Sequence, residues 1–331
     1  MKARGRLFLP LLPALAQAAK PWRIWLVTYR GWTDVEQGFV EHFKSRGLAA
    51  EFTHRDIALD PARLPAVVAE IRAARPDLVH CWGSPVTLGV AGPWKGADPA
   101  RHLVGVPIVF SLVASPVGAG IVPSLASSGR NLTGVSHLPP VAAQLGLLAS
   151  YRPVRRLGAL YSANEPNSRA VLDELALRAA ARGIELIRRP LSSDGAGKPL
   201  AASAPGLLAE LQRAGAEWLY LPPDSFLTTQ LKAVVLPAAE ALRLPSLAST
   251  EQQVAAGALL GLVSRYRSVG QFAAYKAEQI LREGRAPASL PIETLSRFAL
   301  QLRMPLARRL KLLPPLSLVH HAELLEEDLD A

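Results

Sequence analysis

The sequence has a single cysteine, Cys81, which excludes an internal disulfide framework and any zinc or iron–sulfur site built on several thiolates. Beyond the N-terminus no uncharged apolar run reaches eighteen residues, so a multi-span membrane protein is excluded as well. Acidic residues are in deficit, 27 Asp and Glu against 37 Lys and Arg, for a formal net charge of +10. That excess does not point to nucleic acid. The basic residues are scattered, with short pairs only at Arg155-Arg156, Arg188-Arg189 and Arg308-Arg309, and lack aromatic or Gly-rich interleaving.

Catalytic motifs are also missing: there is no G-x-S-x-G, no G-x-x-x-x-G-K-[ST] and no H-E-x-x-H. Gly118-Ala119-Gly120 lacks the third glycine of a dinucleotide fingerprint and reads as a tight turn into a helix. His320-His321 are adjacent, so their rings point apart, and no acidic partner is spaced for a metal. No catalytic residue, metal site or cofactor is expected, and the chain does not read as an enzyme. What is present is apolar bulk. Half of the 331 residues are hydrophobic, enough for a globular protein of about two domains.

Lys2, Arg4 and Arg6 precede an uncharged stretch, Leu7 to Ala16, and small residues follow in Ala16-Gln17-Ala18. A basic start, a short apolar core and an A-x-A site compose a secretory signal. Residues 1–18 are therefore expected to direct export to the periplasm, with cleavage near Ala18.

From Trp22 onward, short apolar runs alternate with amphipathic helical patterns, which predicts an α/β protein with parallel sheets. Arg23–Thr28, Leu78–Cys81 and Pro107–Leu112 read as strands, and Leu64, Val67, Val68 and Ile71 mark one helical face. The second half repeats this plan, with strands at Leu157–Tyr161, Ala214–Leu221, Leu244–Leu247 and Ala258–Ser264. The stretch from Arg75 to Ser84 (helix exit, strand, small polar loop) has the same layout as Gly215 to Ser225. Two similar lobes in series follow. Residues 22–134 with 266–292 are assigned to the first, and 135–265 with 293–331 to the second. The acidic tail Glu323–Asp330 reads as loosely held.

Small, polar and aromatic residues recur where strands should end. They are Tyr29, Arg30, Trp32 and Thr33 after the first strand, Trp82, Gly83 and Ser84 after another, then Ser115 and Pro116. In the second half they are Tyr161, Asn164 and Glu165, then Asp224 and Ser225, then Thr250 and Glu251, with Tyr266 further on. Parallel α/β sheets bind ligands outside the carboxyl ends of their strands. These residues are the expected ligand contacts. Tyr29, Trp32 and Trp82 offer flat apolar surface, and Ser84, Ser115 and the helix N-termini suit a carboxylate. Asp224 and Glu251 suit an ammonium if no arginine pairs with them. Trp32 and Glu251, on opposite lobes, are expected to touch the ligand only when the lobes close.

Several stretches carry a resemblance: Val106-Pro107-Ile108-Val109-Phe110 with Pro116-Val117-Gly118-Ala119-Gly120-Ile121-Val122, Gly129-Arg130-Asn131-Leu132-Thr133-Gly134-Val135, Leu160 to Ser168, Gly257-Ala258-Leu259-Leu260 and Leu290-Pro291-Ile292-Glu293-Thr294. In this order they resemble the extracytoplasmic substrate-binding proteins of ABC importers that include tryptophan- and tyrosine-binding members. The resemblance implies two Rossmann-like lobes joined by a multi-crossover hinge, the type I periplasmic-binding fold. It also implies a small-molecule ligand and a membrane permease as partners, with no nucleic acid and a monomeric chain. Many members have Asp before Pro-Val-Gly, where this chain has Ser115, and Asp before Glu, where it has Thr250 before Glu251. A His-Pro first loop in many members is replaced here by Arg30-Gly31-Trp32-Thr33. The fold thus transfers more directly than the ligand.

The leading functional expectation is the solute-binding component of an ABC importer, capturing an amino acid or related small carboxylate. A sensor or receptor module of the same fold is the alternative. A two-domain enzyme such as a glycosyltransferase is disfavoured by the missing phosphate loop and the lack of clustered acids.

Overall fold

A computed structural model describes residues 20–326; the expected export signal at 1–18 lies outside the described residues. The first sheet holds five parallel strands, β1 (Trp22–Thr28), β2 (Ala50–Asp56), β3 (Leu78–Trp82), β4 (Ile108–Ser111) and β5 (Leu132–Val135). Helices α1 (Asp34–Ser45), α2 (Leu64–Ala74) and α3 (Gly83–Ala91) connect them. Their spatial order is β2-β1-β3-β4-β5. The chain then enters a second unit through α4 (Val141–Tyr151), β6 (Arg156–Tyr161), α5 (Pro166–Ala180), β7 (Glu185–Pro190), α6 (Ala204–Arg213) and β8 (Trp218–Leu221). It continues through α7 (Ser225–Gln230), α8 (Leu236–Ala241), β9 (Ser246–Ala248), α9 (Glu251–Ala255) and β10 (Leu260–Val263). Strands β7-β6-β8-β9-β10 lie in the same order as the first sheet and are likewise parallel.

The last part of the chain is divided between the two units. Helix α10 (Tyr266–Leu281) returns to the first sheet, where Val269, Ala273 and Ala277 join its core. Strand β11 (Ala299–Arg303) then pairs antiparallel with β10, and after α11 (Met304–Arg309) and α12 (Leu316–Val319), β12 (Glu323–Leu325) pairs with β11. The tail expected to be loose therefore supplies a sheet strand at Glu323–Leu325, and residues 327–331 lie outside the described residues. The turn at Gly118-Ala119-Gly120 is present, but no helix follows it.

The chain crosses between units beside Ser136, at Ser264–Arg265 and after Glu293. The first and third crossings run side by side, with Ser136 N–H donating to the Glu293 carbonyl at 2.8 Å. Lys276 Nζ, buried on α10, donates to the Pro291 carbonyl and the Glu293 carboxylate, both at 2.7 Å. This lysine fastens the third crossing to the first lobe.

Helices α1 and α10 meet backbone to backbone. A Cβ on Gly38 would lie 2.1 Å from the Arg267 carbonyl oxygen, and one on Gly270 2.0 Å from that of Val35. Around this contact the nearly buried Glu278 carboxylate binds His42 at 2.8 Å, Arg282 at 3.1 Å and Arg46 at 3.2 Å. Gly270→Ala tests which effect wins. Helix propensity favours alanine by about 1 kcal/mol, but the backbone clash cannot be relieved by a rotamer change. We expect a net loss of about 1–3 kcal/mol, read as a lower guanidinium midpoint; an unchanged or raised midpoint contradicts the close crossing.

Candidate ligand-binding cleft

In each sheet the strand order reverses direction at one place, between β1 and β3 in the first and between β6 and β8 in the second. Such switch points leave a crevice at the carboxyl ends of the strands. The two crevices face one another across a cavity of about 40 Å³. Arg30, Trp82, Gly83, Ser84 and Leu112 line it from the first lobe. Asn167, Pro223, Asp224, Ser225, Thr228 and Thr250 line it from the second. His137 and Tyr266, beside two of the crossings, form its floor, with rings edge to face at 6.1 Å. The space holds little more than a water or two, so a metabolite enters only when the lobes part. They touch at the rim, where Ser115 N–H donates to Asn167 Oδ1 at 2.7 Å and a Cβ on Gly118 would lie 2.4 Å from Ala170 Cβ.

On the first lobe, Thr33 caps α1 and exchanges hydrogen bonds with Glu36 in a capping box. Its Oγ1 also accepts from Trp82 Nε1 at 3.3 Å, which fixes the indole. Tyr29 stacks on Trp82 at 6.4 Å, and the Arg30 guanidinium lies over the same ring at 4.7 Å from its centroid. Nε and Nη1 of Arg30 are buried, and neither has a hydrogen-bond partner among the described residues. The same is true of Ser84 Oγ and His137 Nδ1. Burial holds the Arg30 guanidinium below its usual value, though it remains cationic, and it drives His137 down to about 3, leaving a neutral ring. Gly83, at φ +78°, opens α3 in a conformation a side chain would strain, and no side chain caps that helix. Leu112, buried at φ +55°, is a strained residue on the cleft wall.

The second lobe is different, because its polar groups are already occupied. Asp224 caps α7 and accepts from Leu227 N–H and Ser162 Oγ on one oxygen, and from Ser162 N–H and Ser168 Oγ on the other. Glu165 covers the next amides of α7, accepting from Ser225 N–H at 2.9 Å and Phe226 N–H at 3.3 Å. Burial and the adjacent Asp224 carboxylate push Glu165 up to about 8. Thr250 and Gln253 form a closed capping box on α9.

The sequence-based site residues therefore divide. Arg30, Trp82, Gly83, Ser84, Asp224, Ser225, Thr250 and Tyr266 line the cavity. Tyr29 and Thr33 support Trp82 from behind, and Ser115 bridges the lobes through its amide. Pro116 accepts backbone hydrogen bonds within its own loop. Tyr161 packs against the second core, Asn164 binds the Gly197 carbonyl, and Glu165 caps α7. Trp32 is 47% exposed with its ring edge-on to His54 and does not line the cavity. Glu251 is committed to Arg265 at 2.7 Å and to Tyr266 N–H at 2.6 Å, so it is not the unpaired acid an ammonium would need. Leu112, His137, Asn167, Pro223 and Thr228 were not singled out. Pro223 belongs to a loop read as facing the cleft and Asn167 opens the helix after another such loop; His137 has no local signal.

Among the described residues no three His, Cys, Asp or Glu side chains gather as a metal site requires, and no helix is long and apolar enough to cross a membrane. Residues 26–323 match the family model described as ABC transporter substrate binding protein. A tyrosine-binding protein of Clostridioides difficile is 23% identical over 275 residues, covering 82% of this chain and 74% of that one. Among solved structures, a conserved domain protein from Vibrio cholerae superposes with TM-score 0.79 at 23% identity, covering 92% of this chain and 99% of that one. An ABC domain from Streptococcus pneumoniae in complex with L-Trp gives 0.76 at 20% identity, covering 91% and 99%. The fold is thus that of type I periplasmic binding proteins.

Buried Glu36, His80 and His137, with half-buried Glu165, shape the pH dependence of stability. Glu165 is raised to about 8 and Glu36 to about 7, so folded protein keeps two protons that the unfolded chain releases near 4.5. Those carboxyls weaken the fold as pH rises from there to about 8. His80 and His137, both lowered to about 3 by burial, act oppositely: the unfolded chain takes up protons near 6.5 that the folded one refuses. The two pairs cancel between about pH 4.5 and 6.5, so we expect a stability plateau there, with losses below and above it, and Glu165→Gln should reduce the alkaline loss. Denaturation midpoints at pH 4, 6.5 and 8 check this; a midpoint that rises from 6.5 to 8 contradicts it.

Proposed function

Because the chain belongs to the ABC transporter substrate-binding protein family, we propose that it captures a small organic acid between its lobes and delivers it to a membrane permease from the periplasm. The acid is an amino acid or a related carboxylate. One observation carries this reading: Arg30, Ser84 and His137 have buried polar atoms without partners among the described residues, and all three residues line one interlobe cavity. Native proteins rarely leave buried donors unpaired, since each costs about 1–3 kcal/mol. A bound carboxylate removes that cost. Tyrosine and L-Trp, named for two similar proteins, both carry a carboxylate. The basic and apolar segment ending at Ala18 supports the export step.

No bond needs to be made or broken. The moving bodies are 22–134 with 266–292, and 135–265 with the residues from 293 onward, turning about the paired crossings. Closure follows only if the ligand contacts both bodies and so favours the closed state. Thermal-shift screening of the chain against amino acids and small carboxylates, with small-angle scattering on each hit, tests this. A true ligand at a hundred times its Kd stabilises by about 2.7 kcal/mol and compacts the envelope. Arg30→Ala should abolish the shift without lowering the ligand-free melting temperature. Stabilisation that survives Arg30→Ala, or no compaction with any ligand, contradicts the reading.

Gly118→Val provides a separate check. Its side chain would wedge against Ala170 across the rim, so the open state gains population and ligand affinity falls by that fraction. We expect weaker binding at unchanged stability, with an expanded envelope even at saturating ligand; an unaltered affinity contradicts the rim contact.

A further inference from the structure

Resting on the capture reading above, we infer that the ligand is a carboxylate without an ammonium group, because this cleft presents unpaired hydrogen-bond donors and offers no free counter-charge to a cation. The donor side is Arg30, cationic and missing partners at Nε and Nη1, together with Ser84 Oγ and the uncapped start of α3. His137, 4% exposed, adds a buried Nδ1 with no partner. A planar carboxylate matches the fork of a guanidinium.

The acceptor side is closed. Among the described residues Asp224 is the one carboxylate lining the cavity, and it already accepts from Leu227 N–H, Ser162 N–H and Ser162 Oγ, and shares the Ser168 Oγ–H with the Pro223 carbonyl. That commits both of its oxygens to groups of its own lobe. Glu165 is spent on the first amides of α7, and Glu251 on Arg265 and the Tyr266 amide. An incoming ammonium would have to break one of these caps or lie beside Arg30 uncompensated. Either alternative is costly in a site removed from water. The amino acids named for similar proteins carry an ammonium whose partner this cleft does not provide.

Calorimetry with matched pairs that differ only in the amino group tests the inference: L-tyrosine and 3-(4-hydroxyphenyl)propionate, L-phenylalanine and 3-phenylpropionate, L-alanine and propionate. In at least one pair the deaminated acid should bind, more than tenfold tighter than its amino acid. Arg30→Ala should reduce that binding at least tenfold, and Arg30→Lys should restore part of it. An amino acid that binds tighter than its deaminated partner overturns the inference, and so does failure of all six compounds to bind. The capture reading is judged separately, on the wider panel: it fails if no compound there closes the lobes or if stabilisation survives Arg30→Ala.

Discussion

The geometry of the cleft depends on helix α10 leaving the second sheet and locking onto α1 through the two glycines. With Gly38 and Gly270 facing carbonyls of the opposite helix, the axes approach until backbone meets backbone, a distance any side chain there would forbid. This contact fixes where the second crossing ends and the third begins. Tyr266 starts α10 and lines the cavity, while Lys276, further along the same helix, holds the third crossing through Glu293. The crossings are therefore tied to the first lobe through α10.

Onto this frame the two lobes bring unequal polar surfaces. Both present a switch-point crevice of the same topology, yet the first leaves the start of α3 without a side-chain cap, while the second fills the starts of α7 and α9. Asp224 and Glu165 neutralise the amides of α7, and Gln253 closes those of Ser249 and Thr250. The first lobe leaves Arg30 lying on an indole with no acceptor for Nε and Nη1 among the described residues. A buried cation without a partner is expensive in an isolated protein and becomes favourable when a ligand brings the counter-charge.

Buried strands were legible because they are short apolar runs: Trp22–Thr28, Leu78–Trp82 and Trp218–Leu221 all lie near their expected places. The edge strands were not. Ala50–Asp56 and Glu185–Pro190 interleave charged and polar residues with few apolar ones, as suits a sheet edge that must not pair with another chain. Glu323–Leu325 looked like an acidic tail because three residues carry no period, and only β11 beside it makes it a strand. Trp32 shows the limit for aromatics in loops. Its neighbours Arg30 and Thr33 turn toward Trp82, while it remains outside against His54.

By itself the sequence determined the fold class, the duplicated layout and the ends of strands at which ligands gather, since each follows from local periodicity and from where chains must turn. Tertiary structure alone decided which polar groups remain free. Glu251 and Arg265 are fourteen residues apart and pair, Glu165 and Ser225 are sixty apart and pair, and Arg30 finds no acceptor at any separation among the described residues for Nε and Nη1. A charge becomes a ligand contact by being left over after folding has satisfied the others, and that remainder depends on distances the sequence does not contain.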